Sequence, residues 1–269
     1  MHALQANGVW IHYRRTRTGG VAAPARALVL ANSLGTDLRL WDDVVAELPA
    51  GLDVVCYDKR GHGLSEAPPP PYTIADHADD LAGLLDGLDI RGAVIGGISV
   101  GGMIALSLAL RRPELAAGLV LMDTAHRIGT AAHWDNRIAA VERDGLDALA
   151  DDIIAGWLSE RFRAEQPGAA LAWRNLVART PSVAGYNGTC AALRAADLTD
   201  EVARVAVPTL CLCGADDAST PPALMRELAE LLPRSRYVEV PGTRHLPCIE
   251  QPATVAGHIG DLLEETAGG

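Results

Sequence analysis

Residues Ala93 to Met103, Ala-Val-Ile-Gly-Gly-Ile-Ser-Val-Gly-Gly-Met, constrain this chain more than any other stretch. A short apolar run reaches Ile95, a glycine-rich segment follows, and an apolar helical pattern continues from Met103 to Arg111. The spacing predicts strand, sharp turn and helix, with Ser99 at the apex. Gly97 and Gly101 flank the serine in the pattern G-x-S-x-G. A serine on so tight a turn crowds the backbone around it, and glycine, which has no Cβ, relieves the crowding. The hydroxyl is then expected to stand above the sheet edge. The N–H of Val100 should point to the same place from the helix N-terminus. A glycine-rich turn with an incidental serine has the same local pattern. An acid and a histidine in the right order would separate the two.

The rest of the chain alternates apolar strands with helical patterns. A first strand is expected over Val9–Tyr13, followed by a turn region from Arg14 to Ala25 with Gly19, Gly20 and Pro24. Ala27–Ala31 is a continuous apolar run, as in a parallel strand covered on both faces. Helical spacing follows from Leu38 to Leu48, then a strand from Leu52 to Tyr57 and a stiff loop at Pro68–Pro71. Thr73 should cap a helix running to Leu88, with Asp76 completing a capping box. A further strand is read over Gly118–Met122. The first half therefore reads as a parallel sheet with helices on both faces. After Asp123 the pattern breaks, and up to Ala196 only helical stretches occur: Trp134–Arg143, Leu146–Trp157, Ala169–Ala178 and Val183–Arg194. The sheet pattern resumes with a strand at Thr209–Cys213, a helix at Pro222–Leu232, a strand at Arg236–Val240 and a last helix near Gln251–Glu264. The organisation expected is an α/β core from 1–123 and 197–269, with a helical insertion at 124–196.

Composition narrows the partners. With 269 residues, 49% of them hydrophobic, the chain can bury a large core. A net charge of −11 without a long basic run argues against nucleic acid and against an anionic membrane surface. No apolar stretch reaches the roughly 18–20 residues that span a bilayer, and the N-terminus lacks a signal pattern, so a cytoplasmic protein is expected. Five cysteines are too few for a disulfide framework. Cys211 and Cys213 share a strand face with no second pair nearby and read as buried free thiols, not a metal site.

A serine hydroxyl is a weak nucleophile and needs a base, which in turn needs an orienting acid. In a sheet of this kind the chain order is serine, acid, histidine. Of eight histidines, only His245 follows the last strand in a loop, at the carboxyl edge expected for Ser99. The loop from Gly214 to Pro222 supplies Asp216 and Asp217, and Asp123 ends the earlier strand. Asp217 is favoured; the others are more simply turn or cap residues. One oxyanion donor should be the Val100 N–H. The other should come from the loop after the first core strand, around Leu34.

These features together resemble the α/β-hydrolases over the full length, and more narrowly the 3-oxoadipate enol-lactonases. The resemblance rests on Asn32-Ser-Leu-Gly-Thr-Asp37 with Trp41, Asp58-Lys-Arg-Gly-His-Gly-Leu-Ser65, Pro71-Tyr-Thr-Ile74 and Gly97-Ile-Ser-Val-Gly-Gly102. It continues through Ile128-Gly-Thr130 with Trp134 and Arg137-Ile138, Cys190-Ala-Ala-Leu-Arg194, and His245-Leu246 with Ile249-Glu-Gln-Pro252. It implies a mostly parallel sheet with an α-helical cap inserted after the sixth strand, a small anionic lactone as substrate, and neither metal nor organic cofactor. Val100 stands where the family commonly has methionine, and Pro247-Cys248 interrupts the segment after the histidine. An acidic protein needs local positive charge to hold a carboxylate. Arg127, Arg137 and Arg143 lie near the start of the insertion. Arg137 falls three residues after Trp134, so on a helix the two share a face. A guanidinium could then grip the carboxylate while the indole covers the ring.

Overall fold

A computed structural model describes residues 1–20 and 26–267. Eight strands form one sheet: β1 (His2–Ala6), β2 (Val9–Arg17), β3 (Arg26–Ala31), β4 (Leu52–Tyr57), β5 (Ala93–Ile98), β6 (Ala116–Met122), β7 (Thr209–Gly214) and β8 (Ser235–Val240). Their order across the sheet is β1-β2-β4-β3-β5-β6-β7-β8. From β4 to β8 every neighbour is parallel. Strands β4, β5 and β7 are buried along their whole length, which is why they read as apolar runs without alternation.

The two faces of the sheet feed two cores. Val29, Val55, Ile95, Leu119 and Cys211 face one. Leu28, Val54, Val94, Val120 and Leu210 face the other. Helices α2 (Ile74–Gly87), α3 (Val100–Arg111) and α8 (Pro222–Leu231) cover the first core with Leu81, Leu85, Met103 and Met225. Helices α1 (Asp42–Glu47) and α10 (Pro252–Glu265) cover the second with Val44, Val255, Ile259 and Leu262. Each such aliphatic side chain contributes about 1.5–3 kcal/mol when fully buried.

Four helices lie between β6 and β7: α4 (Ala131–Trp157), α5 (Glu160–Glu165), α6 (Pro167–Ala178) and α7 (Val183–Ala195). The break expected near 144–145 is a kink inside α4, where Gly145 takes φ 77°. Helix α7 meets the core backbone to backbone. A Cβ on Gly61 would lie 2.6 Å from the Gly185 Cα. Among the described residues no helix is long and apolar enough to cross a membrane.

Several expectations need correction. Val9–Tyr13 is a strand, but it lies within β2; the first strand is β1, the opening arm of a hairpin, which has no apolar pattern because it is an edge strand exposed over most of its length. It pairs antiparallel with β2, and β2 pairs antiparallel with β4, so two of the seven strand pairings are antiparallel and β2 alone runs against the others. The turn between β1 and β2 is Asn7-Gly8, both at positive φ, a strong hairpin signal. Strand β2 runs on to Arg17, and the part of the expected turn region at 21–25, Pro24 included, lies outside the described residues. The helix read over Leu38–Leu48 is a 3₁₀ turn at Leu38–Trp41, capped by Asp37, followed by α1. The last helix is preceded by the short α9 (Pro247–Glu250). The capping box of α2 is complete: Thr73 Oγ1 accepts from the Asp76 N–H at 3.0 Å and Asp76 accepts from the Thr73 N–H at 2.8 Å.

Candidate active site

Register places the site. Ala31 is level with Gly97, Ile98 with Met122, Met122 with Leu212, and Gly214 with Val240. Strands β3, β5, β6, β7 and β8 thus end along one edge of the sheet. The loops that leave them carry Leu34, Ser99, Asp123, Asp217 and His245. Ligands bind at such a carboxyl edge in open α/β sheets.

Ser99 adopts φ 58°, ψ −123° between β5 and α3. A non-glycine residue at positive φ costs about 1–3 kcal/mol and persists only where its surroundings hold it. Here the Ser99 N–H donates to the Met122 carbonyl at 2.9 Å, and the Ser99 carbonyl accepts from Gly102 N–H at 3.0 Å and Thr124 Oγ1 at 2.6 Å. Ser99 stands at the N-cap of α3, yet its hydroxyl makes no capping bond. The elbow needs both glycines. A Cβ on Gly97 would lie 2.1 Å from the Gly101 carbonyl oxygen, and one on Gly101 would lie 2.3 Å from that of Ala31. Gly97→Ala is therefore expected to destabilise the fold by about 2–4 kcal/mol, read from the urea midpoint. An unchanged midpoint would show that the turn can open to admit a methyl group.

His245 and Asp217 meet at the same edge. His245 Nδ1 lies 2.8 Å from Asp217 Oδ2, and both side chains are buried. The other acceptor positions of Asp217 are filled. Oδ1 takes the Ser219 N–H at 2.8 Å, and Oδ2 takes Thr220 Oγ1 at 2.7 Å and the Thr220 N–H at 3.2 Å. With Nδ1 committed to Asp217, the free nitrogen of the imidazole is Nε2. Burial acts to raise the Asp217 carboxyl, but the His245 charge and the hydrogen bonds from His245, Thr220 and Ser219 outweigh it and hold the carboxyl at about 2.

The other two acid candidates are placed differently. Asp216 is exposed. Asp123, at φ 40°, is fully buried; Oδ1 accepts from the Gly214 N–H at 2.8 Å and Oδ2 has no hydrogen-bond partner among the described residues. Burial, reinforced by the charge of Asp217, pushes Asp123 well above the usual carboxylate range. Asp123, Cys213 and Asp217 have ligand atoms within 4.8 Å of one another. Burial raises the Cys213 thiol as well. Of the three, Asp217 is engaged by His245.

The Leu34 loop is tied to itself and to the core. Asn32 Nδ2 donates to the Thr36 carbonyl, Thr36 Oγ1 donates to the Ser33 carbonyl at 2.9 Å, and Gly35 takes φ 72°. Among the described residues nothing accepts a hydrogen bond from the Leu34 N–H. Val100 is the first residue of α3, so its N–H has no partner inside the helix. A groove of about 900 Å³ borders this loop at Gly35–Arg39 and reaches α6 at Ala172 and Leu176, but none of Ser99, Asp217 and His245 lines it.

Helix α4 carries the remaining candidates, Trp134 and Arg137. Trp134 is buried and its indole N–H donates to the Ile128 carbonyl at 2.7 Å, which fixes the ring as a wall of the insertion. Arg137 is half-buried, and Nη1 lies 3.4 Å from the hydroxyl of Tyr186. The three candidate arginines now separate. Arg127 pairs with Asp197 at 3.6 Å and Arg143 with Asp144 at 2.6 Å. Arg137 has no carboxylate partner among the described residues. Sequence reasoning missed Tyr186, a buried residue of α7 whose ring lies 3.1 Å from a Cβ built on Gly35 and stacks near His62. It also missed Thr220, whose hydroxyl supports Asp217. A tyrosine at core depth opposite a lone arginine leaves no local sequence signal.

The sheet, the strained serine after its fifth strand and the histidine–aspartate pair beyond the insertion agree with one family. The chain belongs to the α/β-hydrolase fold family, whose model matches residues 26–252. Within it, the chain is 35% identical over 226 residues to 3-oxoadipate enol-lactonase 2 of Acinetobacter baylyi, covering 84% of each chain. The crystal structure of the enol-lactonase from Burkholderia xenovorans superposes with a TM-score of 0.93 at 36% identity, over 98% of this chain and all of that one. A thermophilic esterase from Thermogutta terrifontis, solved with malate bound, superposes at 0.91 with 28% identity over 99% of each chain. Other relatives carry the names of candidate carbamate hydrolases and non-heme bromoperoxidases.

Proposed function

We propose that this protein opens a small anionic enol-lactone by serine acyl-enzyme chemistry, converting 3-oxoadipate enol-lactone to 3-oxoadipate. The observation that carries the reading is the buried His245–Asp217 pair at 2.8 Å, at the same sheet edge as a serine held at positive φ. Ser99 Oγ attacks the lactone carbonyl carbon as His245 Nε2 takes its proton. The N–H groups of Leu34 and Val100 receive the oxyanion. The ring C–O bond then breaks, His245 returns a proton to the departing enol, and the enol tautomerises to the ketone. Water, deprotonated by His245, hydrolyses the acyl-serine. Asp217 holds the imidazole in one tautomer throughout. Residues 124–196 serve as the cap over this chemistry.

Arg137 is the residue proposed to hold the substrate carboxylate, because it is the candidate cation that no carboxylate of the chain engages. The similarity to enol-lactonases and the malate held by the esterase relative both accord with a small carboxylate ligand. Arg137→Ala should raise KM for the anionic lactone by about tenfold to a hundredfold and leave KM for a neutral ester unchanged. Equal effects on both would reject the carboxylate role. A carboxylesterase on the same scaffold is the second reading, favoured by the esterase relative. The test is kcat/KM for the enol-lactone against uncharged lactones and short neutral esters. A preference for neutral esters would select the second reading.

A further inference from the structure

We propose that Lys59 is a positioning residue for the oxyanion site, acting through the peptide group that joins Ser33 to Leu34. The inference rests on the assignment of the Leu34 N–H as an oxyanion donor. Lys59 follows β4 and is 1% exposed. Its Nζ donates to the Ser33 carbonyl oxygen at 2.5 Å, the one hydrogen bond it makes among the described residues. That oxygen also accepts from Thr36 Oγ1 at 2.9 Å and the Thr36 N–H at 3.3 Å. A carbonyl offers two lone pairs, so three donors converge on one acceptor.

The same peptide plane carries the Leu34 N–H on its other side. Because the peptide unit is planar, fixing the direction of the Ser33 C=O fixes the direction of the Leu34 N–H. Donation into the carbonyl also draws electron density from the nitrogen, and hydrogen bonds so linked strengthen one another. A lysine anchored there aims and sharpens the donor without touching the substrate.

Packing alone does not account for the residue. A fully buried lysine is rare unless paired, and taking its head group out of water carries a desolvation cost that an apolar side chain of similar size would not. The neighbouring Asp58 does not serve as its hydrogen-bond partner. Asp58 accepts from Leu38 N–H at 2.7 Å and Leu64 N–H at 2.8 Å and lies 2.8 Å from His12 Nδ1. Burial pushes the Lys59 ammonium well below the usual lysine range, with Asp58 and Asp37 opposing the shift. Both charge states keep an N–H for the Ser33 carbonyl.

The test compares Lys59→Met, which fills the space without a donor, and Lys59→Gln, which keeps a neutral donor. Each is assayed for enol-lactone turnover, for binding of phenylboronic acid and for its urea midpoint. Phenylboronic acid forms a B–O bond with Ser99 Oγ, the serine proton passing to His245, and places a tetrahedral anion in the oxyanion site. Deleting an oxyanion donor outright costs about 10²–10³ in kcat. Loosening one should cost about tenfold in Lys59→Met and less in Lys59→Gln, with KM within about twofold. Boronate affinity should fall in parallel with kcat, and the urea midpoint should hold or rise. Unchanged kcat and boronate affinity would overturn the role, as would a kcat loss without a boronate loss, or one that tracks a lowered midpoint. If Lys59→Met does not fold, Lys59→Gln carries the same comparison. Ser99→Ala separates the two levels. Loss of turnover and of boronate binding there upholds the site whatever Lys59 does, whereas retained turnover removes the site and the Lys59 role together.

Discussion

Ser99→Ala is expected to lower kcat for lactone opening by at least about 10⁴-fold, equivalent to roughly 5.5 kcal/mol of transition-state stabilisation. The serine is the only proposed atom donor to the acyl-enzyme, so no neighbour can replace it. The fold should survive. The strain at φ 58° belongs to the backbone, and alanine has the same Cβ as serine. The side chain makes no capping bond whose loss would weaken α3. The variant should bind a product carboxylate as the wild type does, measured by calorimetry, while failing to form a covalent adduct with a fluorophosphonate, read by intact mass. Turnover near the wild-type rate would end the proposed mechanism.

Asp217→Asn should lower kcat by about 10⁴-fold, the loss expected when an amide turns the histidine into the wrong tautomer with the geometry intact. Asp123→Asn should have a small effect, since burial pushes the Asp123 carboxyl upward and its Oδ1 is bonded to the Gly214 N–H, not to His245. An equal loss in both variants would move the acid role to Asp123. Stability carries a second signature. The Asp217 carboxyl is held at about 2 in the folded chain, below its unfolded value of ~3.9. A depressed carboxyl contributes stability that is complete above about pH 4 and is lost as pH falls through about 2. The wild type should therefore exceed Asp217→Asn in urea stability at pH 5–7, and the gap should close towards pH 2. A gap independent of pH would show that the carboxylate is not held down.

The parts of this molecule that were legible beforehand are those written in local pattern. Strand β4 matches its expected bounds, and the Thr73–Asp76 box, the elbow glycines and the helical character of 131–195 each arise from near neighbours in the chain. Strand β1 was not legible by apolar pattern because an exposed edge strand has none, although Asn7-Gly8 marked its turn. Asp217 could be ranked above Asp123 by chain order, but its bond to His245 spans 28 residues and depends on how two loops leave adjacent strands. Arg137 could be placed on a face with Trp134, whereas its lack of a carboxylate partner depends on where Asp197 and Asp144 sit. Lys59 carries no signal in the sequence beyond its place in the loop after β4. Its meaning lies in the carbonyl it reaches, 26 residues earlier.

The pairing of β6 with β7, Leu119–Met122 against Thr209–Leu212, joins the sheet segment before the insertion to the segment after it. Ser99 is on one side of that seam and Asp217 and His245 are on the other. No part of the chain ending before β7 can hold the three together, so hydrolytic activity reports completion of the seam and not merely collapse of the first half. The entropic cost of closing the chain across the insertion grows only logarithmically with its length, about 0.6 kcal/mol for each doubling. Chain closure alone therefore leaves the length of the insertion free, but its buried side chains tie it to the sheet: Trp134, Tyr186 and Leu193 belong to one core and Ile153 and Trp157 to the other, and Gly185 seats on Gly61. The proposed catalytic residues are thus divided by the β6–β7 seam, while the insertion between its two halves is held by side chains that it shares with both cores.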